Sequence, residues 1–574
     1  MTDAQRPWWK DAVIYQIYPA SFKDSNADGI GDIPGITRSL DYIKNLGVDT
    51  IWICPMYDSP QIDMGYDISD YQKVYPPYGT VADMEELIHQ THSRDMRLIL
   101  DLVINHTSDQ HAWFKESRSS KDNAKRDWYI WKPARYDGNG KRQPPNNWRS
   151  NFGGGSAWEW DEHSQEYYLH LFCVEQPDLN WDNEETRKAI YDSAMTFWLD
   201  KGVDGFRIDT VNMYSKNPTY PDAPITDHDA EWQSAGVIYC NGPRMHEFLQ
   251  EMNAILARYD AMSVGECPHT PDRNKVLQYV GAKQKQLNMV FQFDVVDIGM
   301  GSVFKYQTKP RAYTLPDFKK AVLRTQDLLD GTDAWTTAFL ENHDQARSIS
   351  RWCDDSPQWR VRSGKLLALM LASLSGTLYI YEGQEIGMIN IPKDWTIEEY
   401  KDIDSKDYYN HVAEQSGNDS AKLADALAAI QYLGRDNARI PMQWAPAPNG
   451  GFTDASAQAW MRINDSVTDI NVAQQLHDKD SVLAFWRRTL SIRKQHNDLL
   501  VHGTFRLLDV ENPHVFSFVK EYQDRKALFI GNFSGEERQV PDLPTEGRWR
   551  GLVGNIDSHE DDLAPWEGRI YLVE

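Results

Sequence analysis

The chain has 574 residues, too many for a small module, and its net charge of -25 disfavours nucleic acid and anionic membranes as partners. Its 21 Trp and 28 Tyr exceed the needs of a core and suit a neutral, hydroxylated ligand such as a sugar. No stretch approaches roughly 18 apolar residues and residues 1–10 lack an apolar signal region, so no membrane partner is expected and the chain is expected to be soluble and cytoplasmic. Five scattered cysteines (Cys54, Cys173, Cys240, Cys267, Cys353) lack metal-site spacing and fit a reducing compartment.

Strand-like apolar runs occur at 13–19, 50–55, 97–104, 205–211, 262–267, 289–294, 336–341 and 377–381. Amphipathic helical stretches alternate with them at 36–46, 82–93, 185–201, 243–259, 315–329 and 361–374. Eight such units predict an α/β fold, a TIM (β/α)8 barrel. After the third strand the chain becomes rich in Trp, Gly, Pro and Asn for longer than a βα loop allows. An inserted subdomain on the catalytic face, 105–182, is therefore expected to divide the barrel into 1–104 and 183–500. A polar insertion at 386–451 follows the eighth strand and precedes a last helix at 481–494. Beyond residue 501, alternating runs at 504–508, 515–519, 527–532 and 569–573 predict a C-terminal antiparallel β-domain, 501–574.

The first chemical motif in chain order is the loop 24–32. Asp24, Asn26, Asp28 and Asp32, with the carbonyl of Ile30, stand at EF-hand-like ligand positions around Gly29. Gly35 occupies the place of the closing bidentate Glu, which leaves Ca2+ with Mg2+ as its alternative, and a metal-free turn as the third reading.

In a TIM barrel, catalytic groups come from the C-terminal ends of the strands. The third strand ends at Asn105 and His106, the fourth carries Arg207 and Asp209, the fifth ends at Glu266 and the seventh runs into His343 and Asp344. Any one of these could be a cap or a structural ion pair. Together they gather three carboxylates, two histidines and an arginine at one mouth. Residues two apart on a strand share a face, so Arg207 can hold Asp209 ionised as a nucleophile, and Arg207 is also expected among the substrate-binding residues. Glu266, beside apolar Val264 and close to a negative charge, should have a raised pKa and serve as general acid/base, the pairing that a retaining glycosidase needs. Asp344 would brace sugar hydroxyls and stabilise positive charge, while neutral His106 and His343 hydrogen-bond the ring hydroxyls.

These four segments, in this order, resemble the signature regions of the α-amylase family of glycoside hydrolases. The resemblance spans nearly the whole chain and is closest to the α-glucosidase and oligo-1,6-glucosidase branch, within it to fungal maltases. It is carried further by residues 63–66 (DMGY), 176–181 (QPDLNW), 435–439 (RDNAR) and 441–444 (PMQW). The resemblance implies Asp209 as nucleophile, Glu266 as acid/base and Asp344 as transition-state stabiliser. It also implies that Asp63 and Arg435 grip the far end of the terminal glucose, that Tyr66 and Phe172 form aromatic walls, and that Arg439 lies near the second sugar. Thr210, following the nucleophile, stands where similar enzymes distinguish α-1,4 preference (Thr or Ala) from α-1,6 preference (Val). Similar glucosidases carry structural Ca2+ in the loop 24–32 and need no organic cofactor.

The expected function is a retaining, exo-acting α-glucosidase on maltose, short α-1,4 oligosaccharides and sucrose, with transglucosylation as a second outcome. The alternatives are a mainly transglucosylating enzyme, a trehalose synthase-like isomerase, or a catalytically silent homologue, which the retained carboxylates disfavour. The Arg/Asp-rich loop of sucrose isomerases is not apparent in 298–311. The partners are small α-glucosides, and the chain is expected to be a monomer or a homodimer.

Overall fold

The computed structural model describes residues 6–301, 305–306, 312–540, 548–557 and 562–573. Its central sheet contains eight parallel strands: β1 Val13–Ile17, β2 Thr50–Ile53, β3 Arg97–Leu102, β4 Gly205–Ile208, β5 Met262–Glu266, β6 Met289–Phe291, β7 Thr337–Ala338 and β8 Thr377–Tyr381. Their order is β6-β5-β4-β3-β2-β1-β8-β7. β6 and β7 stand at its two ends. Among the described residues a side chain joins them, with Thr337 Oγ1 donating to the Val290 carbonyl at 3.1 Å, so the barrel is nearly closed.

These segments become strands because both their faces are covered. Side chains fill the barrel inside and helices pack outside, so the residues of β1, β2, β4 and β8 are all buried and read as continuous apolar runs. Gly205 opens β4 at φ 152°, where a Cβ would lie 2.3 Å from the Met262 carbonyl oxygen. Glycine alone admits that approach to β5.

The runs predicted at 205–211 and 336–341 shorten to Gly205–Ile208 and Thr337–Ala338 because the chain leaves the ladder where it reaches the mouth. The helix predicted at 36–46 is two, Ile33–Arg38 and Leu40–Leu46, broken at Ser39. Between β3 and β4 lies a small antiparallel sheet that includes Trp158–Asp161 and Glu166–Leu169. Its core, with Trp148 and Trp158, also takes Met213, Ala223, Ala235 and Tyr239 from the connection after β4. Two loops thus roof the mouth together.

After β8 the polar stretch forms two helices, Ile403–Ser416 and Ser420–Leu433, ahead of Arg435. The C-terminal sheet is antiparallel and five-stranded, in the order Thr504–Leu508, Val515–Tyr522, Arg525–Asn532, Gly568–Val573, Trp549–Gly554. Buried Lys319 fastens it to the barrel by donating to the carbonyls of Asp509, Asn512 and Val515 at 2.8, 2.8 and 3.0 Å. Of the segment 298–311, residues 302–304 and 307–311 lie outside the described residues. No helix among the described residues is long and apolar enough to cross a membrane.

Candidate active site

A cavity of about 400 Å3 opens at the C-terminal end of the barrel strands. Asp63, Tyr66, His106, Phe172, Asp209, Thr210, Glu266, Asp344 and Arg435 all line it. These residues come from seven separate stretches of the chain. The barrel brings them together because each follows a strand end or sits in a roofing loop.

At its base Arg207 binds three carboxylates at once. Its Nη1 lies 2.8 Å from Asp101 Oδ1 and 2.7 Å from Asp209 Oδ1, and its Nη2 lies 3.0 Å from Glu266 Oε2. Asp209 also hydrogen-bonds Glu266. Two carboxyl groups on one guanidinium and in contact with each other fall short of the ~6.5–9.5 Å that an inverting enzyme requires, and correspond to the retaining arrangement. The chain turns sharply between them. Thr210 has φ 40°, a strained value for a β-branched residue, and there its N–H donates to Glu266 Oε2 at 3.2 Å. Tyr214 stacks on Trp181, with ring centroids 4.4 Å apart, and its hydroxyl holds the Asp209 carbonyl at 2.8 Å.

Burial raises the pKa of Asp209 to about 6, against the pull of Arg207. Burial also raises Glu266, to about 7, with Arg207 opposing and the neighbouring Asp209 and Asp344 adding to the rise. Arg207 alone does not keep Asp209 at an ordinary carboxylate value, as the sequence predicts, because removal from water outweighs the ion pair. The order is nevertheless the useful one. Between the two values Asp209 is charged while Glu266 keeps its proton.

Asp344 behaves differently. Burial would raise it, but His343, Arg435 and Arg439 together hold it well below the usual carboxylate range. It is a fixed negative charge facing the cavity. Arg435 Nη1 lies 3.3 Å from Asp344 Oδ1, and its Nη2 lies 3.1 Å from Asp63 Oδ1. Gln176 donates to the other Asp63 oxygen at 3.2 Å. Asp63, Arg435 and Asp344 thus form one run of linked charges in the cavity wall. Phe172 packs on His106 and Phe152, with centroids 5.2 and 5.5 Å away, and Tyr66 lies parallel to His343 at 5.2 Å.

Three residues predicted to touch the sugar sit behind this wall instead. Arg207 and Arg439 are each 1% exposed and His343 is fully buried. Arg207 spends its charge on the three carboxylates. Arg439 donates to Asp344 at 2.9 Å and to Asp402 at 3.2 Å, so its guanidinium braces these two carboxylates from behind the cavity lining. His343 accepts from Gln16 on Nδ1 at 2.9 Å, and its Nε2 meets the Tyr66 hydroxyl at 2.6 Å and Asp344 Oδ2 at 3.1 Å. Burial lowers its pKa, so it supports Asp344 as a neutral ring. His106 lines the cavity, while its Nε2 lies 3.1 Å from the Tyr66 carbonyl.

Sequence reasoning missed Asp101 and Asp402. Asp101 is fully buried in β3 and binds Arg207, the Tyr66 hydroxyl and the Trp52 ring N–H. Its place four residues ahead of Asn105, on a strand paired with β4, was the available signal. Asp402 binds both Arg435 and Arg439 from a stretch with no periodic pattern.

In the loop 24–32, Asp24 accepts N–H bonds from Asn26, Ala27 and Gly29, Asn26 accepts from Asp28, and Asp28 accepts from Ile30. Asp32 accepts from Ser25 and Gly35. The donor set consists of hard oxygen atoms. Among the described residues, however, no group of three or more His, Cys, Asp or Glu side chains stands together as a metal site.

Fold and cavity define a barrel hydrolase that acts on a glycosidic bond with two carboxyl groups. The catalytic-domain model of the α-amylase family matches residues 16–503, and the chain belongs to that family of glycoside hydrolases. It is 52% identical to an α-glucosidase of Candida albicans, with 100% of both chains covered. It is 50% identical to the α-glucosidase MAL12 of Saccharomyces cerevisiae and 49% identical to the oligo-1,6-glucosidase IMA2 of the same yeast, each match covering 100% of this chain and 99% of the relative. Among solved structures, the trehalose-6-phosphate hydrolase TreA of Bacillus licheniformis matches with a TM-score of 0.90 at 39% identity, covering 99% of this chain and 100% of that one.

Proposed function

We propose that this chain is a retaining, exo-acting α-glucosidase that releases glucose from the non-reducing ends of maltose and short α-1,4 oligosaccharides, and from sucrose. The observation that carries the exo reading is the ion-paired run in the cavity wall where Arg435 joins Asp63 to Asp344, which we read as closing one end. A terminal glucose fits against such an end, and a continuing chain does not. Asp209 attacks the anomeric carbon while Glu266 protonates the leaving oxygen. Glu266 then activates water, or a second sugar, to release the glucose from Asp209. Product analysis on maltose, isomaltose, sucrose and trehalose tests this reading. Glucose from maltose supports it, whereas trehalose or new trisaccharides as main products would replace hydrolysis by isomerisation or transfer.

The α-1,4 preference rests on Thr210, which lines the cavity and whose Oγ1 lies 3.3 Å from Asp209 Oδ2. Relatives of near-equal identity are named both α-glucosidase and oligo-1,6-glucosidase, so overall identity does not decide the linkage. Thr210→Val is expected to raise the isomaltose-to-maltose ratio of kcat/KM by about 10-fold, the scale of one methyl-sized change in a pocket. An unchanged ratio would remove Thr210 as the determinant.

The loop 24–32 is proposed to hold Ca2+, or Mg2+, through Asp24, Asn26, Asp28, the Ile30 carbonyl and Asp32, and to act on stability alone. Its oxygen-only donor set supports this. Chelation is expected to lower Tm by several degrees, with Ca2+ restoring it and kcat unchanged at a temperature where the chain stays folded. A Tm insensitive to both would dismiss the metal. Five free thiols support a reducing compartment such as the cytoplasm. A monomer or a homodimer serves this chemistry equally.

A further inference from the structure

Behind the cavity, a polar cluster joins four segments, those just past Asp209 and Glu266, the stretch at Asn241 and the helix that carries Tyr279. Asn212, three residues past the nucleophile and fully buried, donates from Nδ2 to the Pro268 carbonyl at 2.5 Å and to Thr270 Oγ1 at 2.9 Å. Asn241 comes from the returning end of the roof. Its Nδ2 donates to Thr270 Oγ1 at 3.1 Å and its main-chain N–H to the Asn212 carbonyl at 2.7 Å. Tyr279, on the helix Arg273–Val280, donates its hydroxyl to Asn241 Oδ1 at 2.6 Å.

Pro268 and Thr270 follow Glu266 by two and four residues. The cluster therefore ties the backbone just past the nucleophile to the backbone just past the acid. Both segments are held in conformations that side-chain-bearing residues disfavour. Thr210, Asn241 and His269 have φ of 40°, 57° and 54°. Strain of this kind persists only where surrounding contacts impose it. The amide of Asn241 does so from both ends, giving a proton to Thr270 and taking one from Tyr279, and Asn tolerates the left-handed region better than most residues.

We infer that Asn241, seated by Tyr279, is a positioning residue for the acid step: it holds the segment after Glu266 so that the carboxyl meets the leaving oxygen. Asn241 does not line the cavity and acts through Thr270 and Asn212. This rests on the assignment of Glu266 as the acid.

The test compares kcat/KM, which reports steps up to leaving-group departure, on maltose and on dinitrophenyl α-glucoside. A sugar leaves poorly without a proton, while dinitrophenolate leaves unaided. Asn241→Ala is expected to lose about 10–10²-fold on maltose, the scale of a small misplacement of a catalytic group, and less than about 3-fold on the aryl substrate. Tyr279→Phe keeps the ring and should show the same selectivity with a smaller loss, which decides the matter if the alanine variant does not fold. Equal losses on both substrates, or none, would overturn the proposal. Glu266→Gln serves as the control. If it lacks the selectivity, the acid assignment fails; if it shows the selectivity and both network variants lack it, the network proposal alone fails.

Discussion

Asp209→Asn is expected to reduce kcat on maltose by roughly 10⁴–10⁶-fold, the scale seen when a nucleophile is removed, while the thermal transition moves little. An amide oxygen is too weak a nucleophile to form the glucosyl ester, yet it fills the same space. Asp209 Oδ1 accepts from Arg207, a role that an amide oxygen can keep. Tyr214 holds the backbone at Asp209, not its side chain, so the turn into Thr210 should survive. Circular dichroism and a melting curve beside the kinetics would check the pair of outcomes. Activity within about 10-fold of the parent would remove Asp209 as nucleophile.

The second large effect concerns Arg207, which was expected on the substrate and lies 1% exposed beneath three carboxylates. Arg207→Met should preserve much of the volume and remove the charge, leaving Asp101, Asp209 and Glu266 facing one another. A buried charge stripped of its partner typically costs about 3–5 kcal/mol, so the variant should unfold at clearly lower denaturant. The pH profile carries the sharper prediction. Burial raises all three carboxyl groups, and Arg207 lowers each. Its loss must therefore move them upward. In the parent, activity is expected to rise as Asp209 ionises near pH 6 and to fall as Glu266 loses its proton near pH 7. In the variant the rising limb should move to higher pH, and Glu266 should hold its proton longer, moving the falling limb the same way. At the parent optimum, the protonated Asp209 would then leave roughly 1% of the activity or less. A profile unmoved on the acid side would mean that Arg207 does not control the pair.

The barrel was legible because strands buried on both faces read as unbroken apolar runs, and Met262–Glu266 and Thr377–Tyr381 are read almost to the residue. Their ends were harder. Residues 205–211 look extended throughout, but the chain departs after Ile208 under tertiary constraint, since Glu266 accepts the Thr210 N–H at the turn. Ser420–Leu433 does bury Ala426, Ala429, Ile430 and Leu433 at helical spacing, but Ile403–Ser416 buries only Ser405 and Tyr408, so apolar periodicity hardly marks it. The strand Trp549–Gly554, with two glycines and mostly uncovered side chains, was missed for the same reason.

In the site, the gathering of Asp209, Glu266 and Asp344 around one cavity was readable from their places at strand ends. Which polar residues face the cavity was not. Arg435 and Arg439 lie one helical turn apart, both bind Asp344 and Asp402, and only Arg435 lines the cavity. No pattern in sequence separates them, because the difference is made by Tyr18 and His343 packed on one and by Phe152 and Asp63 on the other. Asp402 was hidden likewise, since its partners lie beyond two helices.

The most direct measurement of the central claim is to trap the intermediate. A fluoroglucosyl fluoride whose glucosyl ester hydrolyses slowly should label one peptide, the one containing Asp209, and the glucose released from an aryl α-glucoside should appear first as the α-anomer. Labelling of another residue, or β-glucose as the first product, would contradict a retaining mechanism through Asp209.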